Sequence, residues 1–403
     1  MSTERAPAAP DLERLGSLLL EAGGGRAPPA LRRLLDRELR LALIRRARET
    51  RRRCLPTSMG RAQRRDERQE VPVPYEAHRL KWRPGRRVAV LLGGTRPGAD
   101  GTVVEWGWVL KCCRPERAAR LATLHRELAR ALQRPGASAP AAGPARIEVV
   151  RTDAGPRPLP RVPAIGFARP EAGWIALEAW PGLPLARVRD RAVRDRALAA
   201  VALALAGLER TLEVGWLWPA RAWSISREID RLLEVWHPTG VPLPMDPEEL
   251  ARLLERVSGG RLAPAHRDLY GEQIVVDPEA ADLGAERWVD WDEAALAPAG
   301  LDLANLLAHE WLAGLRAAAP RPIAEECAAL VDTYRSGGGQ LEASAILPWV
   351  AAACLRLAGI ARQRARDDDP VIRSPGWTEP SPLPPWEESA ALVDVALEIV
   401  AAA

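Results

Sequence analysis

Apolar positions along the 403-residue chain change their period twice. Up to about residue 68, leucines recur at helical spacing in "DLERLGSLLLEAG" and "ALRRLLDRELRLALIRRARETRRR", which predicts a helical extension. From about residue 71, alternation replaces that period. "HRLKWRPGRRVAVLL" sets a Pro-Gly turn between two strand-like runs, "GGTRPGADG" is a longer turn signal, and "TVVEWGWVLKCC" is a third run. Pro115 opens a charged helix, "PERAARLATLHRELARAL", and the Pro/Ala/Gly-rich "QRPGASAPAAGPA" reads as a surface connector. "ARIEVVRTD" and "GWIALEAW" add two strands. After "PGLPL" (181–185) helical periods dominate, in "RDRALAAVALALAGLERTLEVGW" and in "DPEELARLLERVSG" with its Asp-Pro cap. Beyond two short strands in "HRDLYGEQIVV" and "RWVDWDEAAL", helices resume in "LDLANLLAHEWLAGLRAA", "AEECAALVDTYRSGGG" and "LPWVAAACLRLAGIARQRA". Residues 367–385 are acidic and then Pro-rich, and a last helix is expected from about Glu387. The outline is α+β in three parts: a basic helical extension (1–70), a small β-rich lobe (71–178) and a larger helical lobe (179–403).

Composition sharpens this only in places. With 47% apolar residues the chain can bury a sizeable core, yet no apolar run approaches the roughly 20 residues that span a bilayer. The opening "MSTERAPAAPDLERLG" lacks a basic region followed by an apolar one, so a cytoplasmic protein without membrane attachment is expected. The cysteines at 54, 112, 113, 327 and 354 show no metal-ligand spacing and read as buried thiols in a reducing compartment. Ten arginines against four acids between Arg45 and Glu70 read first as a solvated helix face, and second as an arm for a protein partner. The net charge of +4 is no case for nucleic acid, because no aromatic platform or binding motif accompanies it. Of 57 cationic residues only Lys81 and Lys111 are lysine, and each reads either as a position that needs a compact ammonium or as a chance survivor of the arginine bias.

Candidate chemistry comes in a fixed order. Lys111 ends the strand-like "WVLK", and Glu127 follows sixteen residues later on the charged helix, with Glu116 as its rival. Glu178 ends "WIALE". "HRDLYGEQ" supplies His266, Arg267, Asp268 and Gln273. "VDWD" places Asp290 twenty-two residues after Asp268, with Asp292 close by as either a second metal or substrate contact or a plain loop acid, and "GLDLANLL" places Asp302 twelve residues after Asp290. Gly93, Gly94, Gly98 and Gly101 read as hairpin punctuation, since no G-x-G-x-x-G is present; phosphate cover would fall to the turn at Pro84–Arg87.

Taken together, these features resemble the protein-kinase-like fold, with its strand lysine, helix glutamate, H-R-D-L-x-x-x-N loop and D-F-G-like aspartate. Within it, "HRDLYGEQ", "VDWD", "LDLA", "LEAWPGLPL" and "RPGRRVAVL" resemble the aminoglycoside phosphotransferase and choline kinase group over residues 75–360. The resemblance implies two lobes and an ATP- and Mg²⁺-dependent phosphotransferase. Its γ-phosphoryl group would go to a hydroxyl of a small molecule: a sugar, an aminoglycoside-like compound or an amino alcohol. A small acceptor fits better than a protein because no A-P-E segment follows Asp290. By resemblance, Asp268 is the catalytic base, and Lys111 contacts phosphates while paired to Glu127. Glu178 lies at the nucleotide hinge, and Asp290 with Gln273 holds the metal. Asp302 caps its helix and holds the catalytic-loop backbone. Gln273 stands where the group usually has Asn and offers the same amide oxygen on a longer arm. Acids in "AEECAALVD" and "MDPEEL" read as solvated faces in preference to a cation-binding wall. The alternative from another class is a nucleotide-binding pseudokinase or scaffold without turnover, motivated by Gln273 and the missing glycine loop.

Overall fold

The computed structural model describes residues 76–402 except 84–86, 98–102, 133–148, 153–154, 211–221, 260, 281–282, 284, 286, 318 and 367–382. The basic extension, the Pro-rich connector and most of the acidic and Pro-rich segment expected from the sequence therefore lie outside the described residues.

Strands β1 (Glu76–Arg83), β2 (Arg87–Pro97) and β3 (Val103–Cys112) form an antiparallel meander. β4 (Val149–Thr152) and β5 (Gly155–Pro158) pair only with each other, whereas β6 (Ile165–Arg169) and β7 (Trp174–Glu178) complete a five-stranded sheet in the order β1-β2-β3-β7-β6. The "GGTRP" run, expected to be a turn, continues β2: Gly93 faces Gly107 and Gly94 faces Trp106 across the ladder. Here cross-strand pairing overrides the weak strand preference of glycine. Lys111 is held at the centre of this sheet, registered with Ala89 on one side and Ile175 on the other.

Helix α1 (Pro115–Leu132) joins the lobes. Its residues Ala118, Leu121 and Ala122 pack under Ile175 and Leu177 of β7, while Leu128 and Leu132 enter the core of the helical lobe. The chain leaves the sheet at Glu178 and turns at Gly182, whose φ is +131°. A Cβ there would lie 2.5 Å from the Val276 carbonyl oxygen, so only glycine lets the connection run this close to the next layer. That layer is β8 (Leu183–Pro184), β10 (Ile274–Val276) and β11 (Arg287–Trp288), ordered β11-β10-β8. A second ribbon, β9 (Leu262–Ala265) against β12 (Ala295–Pro298), was not anticipated, because "LAPA" and "ALAP" contain no β-branched residue.

The helical lobe contains α2 (Arg191–Arg210), α3 (Ile225–Trp236), α4 (Pro247–Ser258), α5 (Leu301–Arg316), α6 (Ile323–Ser336), α7 (Ala343–Arg366) and α8 (Pro385–Ala402). The cap expected for α4 is present: the Asp246 carboxylate accepts from Glu248 N at 3.0 Å, and Gly259 closes the helix in the left-handed region. Helix α3, begun by Ser224, has no counterpart in the sequence reading. Helix α7 starts at Ala343 and carries Pro348 inside it, four residues earlier than the segment from Leu347 predicts. By length and composition α7 is apolar enough to cross a membrane, with mean hydropathy 1.6 over its best window, which corrects the expectation that no segment comes close. Of that window, 72% is buried inside the protein, where α7 packs on α3, α5 and α8. It is the central helix of the core, each fully buried Leu or Val contributing about 1.5–3 kcal/mol.

None of the four described cysteines is in a disulfide, and all are buried. Burial pushes the Cys327 thiol up to about 11 and the Cys354 thiol up to about 12, so these are inert core groups.

Candidate active site

The H-R-D loop leaves β9 with Arg267 in the left-handed region, φ 68°, a conformation costly for a residue with a Cβ. Helix α5 holds it there. The Asp302 carboxylate accepts from His266 N at 2.5 Å and from Arg267 N at 2.6 Å. Three residues on, on the same face, Asn305 donates its side-chain amide to Leu269 O at 2.8 Å. Asp302 is thus the loop's partner, as expected, but not the helix N-cap: Gly300 (φ 88°) takes that position, and Asp302 turns its carboxylate away from the helix. Burial pushes the Asp302 carboxyl up, and His266 and Arg267 oppose that shift. The Arg267 guanidinium lies 3.2 Å from the Trp223 ring centroid. Burial, with Arg231 adding to it, lowers its pKa to about 10.

A second loop is stitched to the first at one residue. Val289 N donates to Gln273 O at 2.8 Å, and His266 Nε2 lies 2.8 Å from Val289 O. A carbonyl only accepts, so the proton is on Nε2, leaving Nδ1 to accept from Asp268 N at 3.3 Å. His266 therefore serves as a structural tie between the two loops. Trp291 closes this corner, its ring centroid 4.8 Å from His266 and 5.8 Å from Trp288. Between Val289 and Trp291, Asp290 adopts φ 63°, ψ 44°. Gln273 is buried and hydrogen-bonds through its side chain to Tyr270.

Lys111 meets this loop from the sheet. Its Nζ lies 2.6 Å from Asp290 Oδ1 and 2.5 Å from Asp292 Oδ1. Burial alone would lower the ammonium pKa; the two carboxylates overrule it and raise it. Burial likewise pushes Asp292 up, but Lys111 and His125 together hold it well below the usual carboxylate range.

The expected Lys111–Glu127 pair is not the one formed. Helix α1 reaches the cluster instead through Arg117 Nη2, 3.4 Å from Asp292 Oδ2, and His125 Nε2, 4.0 Å from Asp292 Oδ1. The reason is angular. Ala118, Leu121, Ala122 and His125 are buried on one face, and Glu127 lies about 200° round the helix from His125. Glu178 is also engaged elsewhere: it faces Trp108 across the sheet, and its Oε2 accepts from Ala164 N at 3.4 Å.

Of the six residues singled out from the sequence, Lys111 and Asp290 are in direct contact, and Asp268 and Gln273 lie in the loop bonded to Val289. Glu127 and Glu178 do not join them. Sequence reasoning undervalued Asp292 and missed Arg117 and His125; a histidine inside the apolar stripe of α1 was the available signal. Among the described residues no group of three His, Cys, Asp or Glu side chains is placed to hold a metal. By donor chemistry alone, Asp290, Asp292 and Gln273 carry the carboxylate and amide oxygens that a hard ion such as Mg²⁺ takes alongside several waters.

No family model matches the chain, and no curated protein matches it. The chain is similar to solved structures of small-molecule kinases. One is a GDP complex of aminoglycoside 2'-phosphotransferase-IIIa, at 12% identity and TM-score 0.44, covering 84% of this chain and 96% of that one. Another is a choline/ethanolamine kinase family protein from Mesorhizobium loti, at 16% identity and TM-score 0.44, covering 81% and 93%. A third is choline kinase from Cryptosporidium parvum, at 10% identity and TM-score 0.46, covering 81% and 88%.

Proposed function

We propose that the chain transfers the γ-phosphoryl group of ATP to a hydroxyl of a small molecule such as a sugar, an aminoglycoside-like compound or an amino alcohol. One observation carries this reading. The lone lysine of the sheet's central strand meets the aspartate of V-D-W-D at 2.6 Å, in a loop hydrogen-bonded on both sides to the H-R-D segment. Phosphoryl transfer asks for charge neutralisation and in-line placement more than for covalent help, and that set of groups supplies both.

Lys111 contacts the α- and β-phosphates, giving up its present carboxylate partners to do so. Asp292, tied to Arg117 and His125, couples the V-D-W-D loop to α1 when the lysine is released. Asp268 orients the acceptor hydroxyl and takes its proton late in the transfer. Asp290 and Gln273 would hold Mg²⁺, which when bound supplies positive charge to the phosphates. Glu178 keeps the hinge backbone in place beside the adenine side of the cleft. The protein acts in the cytoplasm, and no membrane or nucleic-acid partner enters the reading.

The test is acceptor-dependent ADP release by the full chain with ATP and Mg²⁺ across a library of hydroxyl compounds. Release is expected with the wild type and lost in Asp268→Ala. Equal behaviour of the two proteins, or nucleotide binding without turnover on any acceptor, would overturn the proposal.

A further inference from the structure

Asp268 has a neighbour that the phosphotransfer reading does not use. Arg356 projects from α7, the apolar core helix, in the sequence "CLRLAG", and is 7% exposed. One arm of its guanidinium, Nη2, donates to Asn305 Oδ1; the other, Nη1, lies 3.9 Å from Asp268 Oδ1. Asn305 in turn donates to the carbonyl of Leu269, the residue after Asp268. Both polar ends of the chain's single asparagine are therefore committed, one to the arginine and one to the loop.

A buried guanidinium is costly to desolvate, and a neutral amide oxygen offsets only part of that. The groups that face it include Asp268, Glu228 and Tyr270, with Arg231 as a further cation. Burial, reinforced by Arg231, lowers its pKa, and Asp268 is the first of the groups that oppose the shift. Glu228 is already engaged by the Trp223 indole at 2.9 Å. The carboxylate within ion-pair distance of Arg356 is that of Asp268. A fork that spans a carboxylate and a loop staple fixes direction as well as charge.

Resting on the proposed phosphotransfer, we infer that Arg356 is the positioning residue of the site: it holds the Asp268 carboxylate in the direction from which the acceptor hydroxyl approaches. It acts through Asp268 and Asn305, without forming or breaking a bond itself.

The experiment uses the full chain with ATP, Mg²⁺ and the acceptor found in the library screen. Arg356→Ala is expected to lower kcat roughly 10- to 100-fold while KM for ATP stays within about two-fold, the effect of misdirecting one catalytic group. Millimolar guanidinium ion is expected to restore part of that rate, and to restore none in Asp268→Ala. Arg356→Lys, which keeps the charge and loses the fork, is expected to fall between Arg356→Ala and wild type. Arg356→Ala turning over like the wild type, or a loss that guanidinium leaves unchanged, would overturn the inference. A cycle of unfolding midpoints for Arg356→Met, Asp268→Asn and the double variant reads the pair without any turnover. Non-additive midpoints support it, and additive ones overturn it. A wild type that releases no ADP on any acceptor overturns the proposed function, and the cycle then decides the charge pair alone.

Discussion

The two sides of the cleft are built differently. On the helical side, α5 grips the H-R-D loop through Asp302 and Asn305, Val289 stitches it to the next loop, and each of these bonds joins a fixed donor to a fixed acceptor. On the sheet side, Lys111 is held by two carboxylates and α1 by longer contacts of 3.4 and 4.0 Å. Geometrically tight staples to backbone groups make one half a rigid platform. Ion pairs that charged ligands can replace leave the other half able to change partners.

That contrast can be broken experimentally. The largest effect is expected from Asp302→Ala, which strands two buried backbone N–H groups and releases Arg267 from its left-handed conformation. A loss of about 3–5 kcal/mol in urea denaturation is expected, and a loss under 1 kcal/mol would mean the loop is held by something else. Gly182→Ala comes next, at about 1–3 kcal/mol, because it meets both a positive φ and the Val276 carbonyl. An unchanged midpoint would show that the inter-lobe turn yields easily.

A third prediction concerns acid. Burial and the charges of Arg356, Arg316 and Arg364 hold His309 well below its ordinary 6.5, and its ring stacks on Tyr270 at 4.3 Å. The unfolded chain takes up this proton first, so stability is full above pH 6.5 and falls as pH drops below it. The slope contributed is about 1.4 kcal/mol per pH unit, and His309→Gln should remove it; an identical slope in the variant would count against the buried neutral imidazole. The last effect, expected on the exchangeable side, is read in ligand response more than in stability. Lys111→Met should cost about 1–3 kcal/mol without ligand while making the protein's stability more responsive to Mg²⁺, since two close carboxylates are left without their cation. A Mg²⁺ response equal to that of the wild type would argue against exchange at this site.

The same contrast explains what the sequence could disclose. That His266, Asp268, Gln273 and Asp290 would come together in two neighbouring loops, with Asp302 on the helix behind them, was expected from the resemblance, whose motifs are each confined to a few residues. The partner of Lys111 was not, because α1 offers acids on several faces and only packing decides which face turns inward. Arg356 was hidden among the many arginines of the chain, although a guanidinium inside "CLRLAG" contradicts its own apolar surroundings. Strands β9 and β12 were missed because alanine and proline carry no strand signal, and ladder pairing imposed their conformation.

Two carboxylates clasping one ammonium also imply an order of events. The single ammonium of Lys111 keeps the two like charges together. Under the proposed phosphotransfer, loading would be a trade, in which the Asp290 and Asp292 oxygens would turn to a metal ion as the Lys111 nitrogen turned to the phosphates. On that reading neither ligand alone would offer both halves of the bargain, and nucleotide and metal would be expected to arrive as one complex.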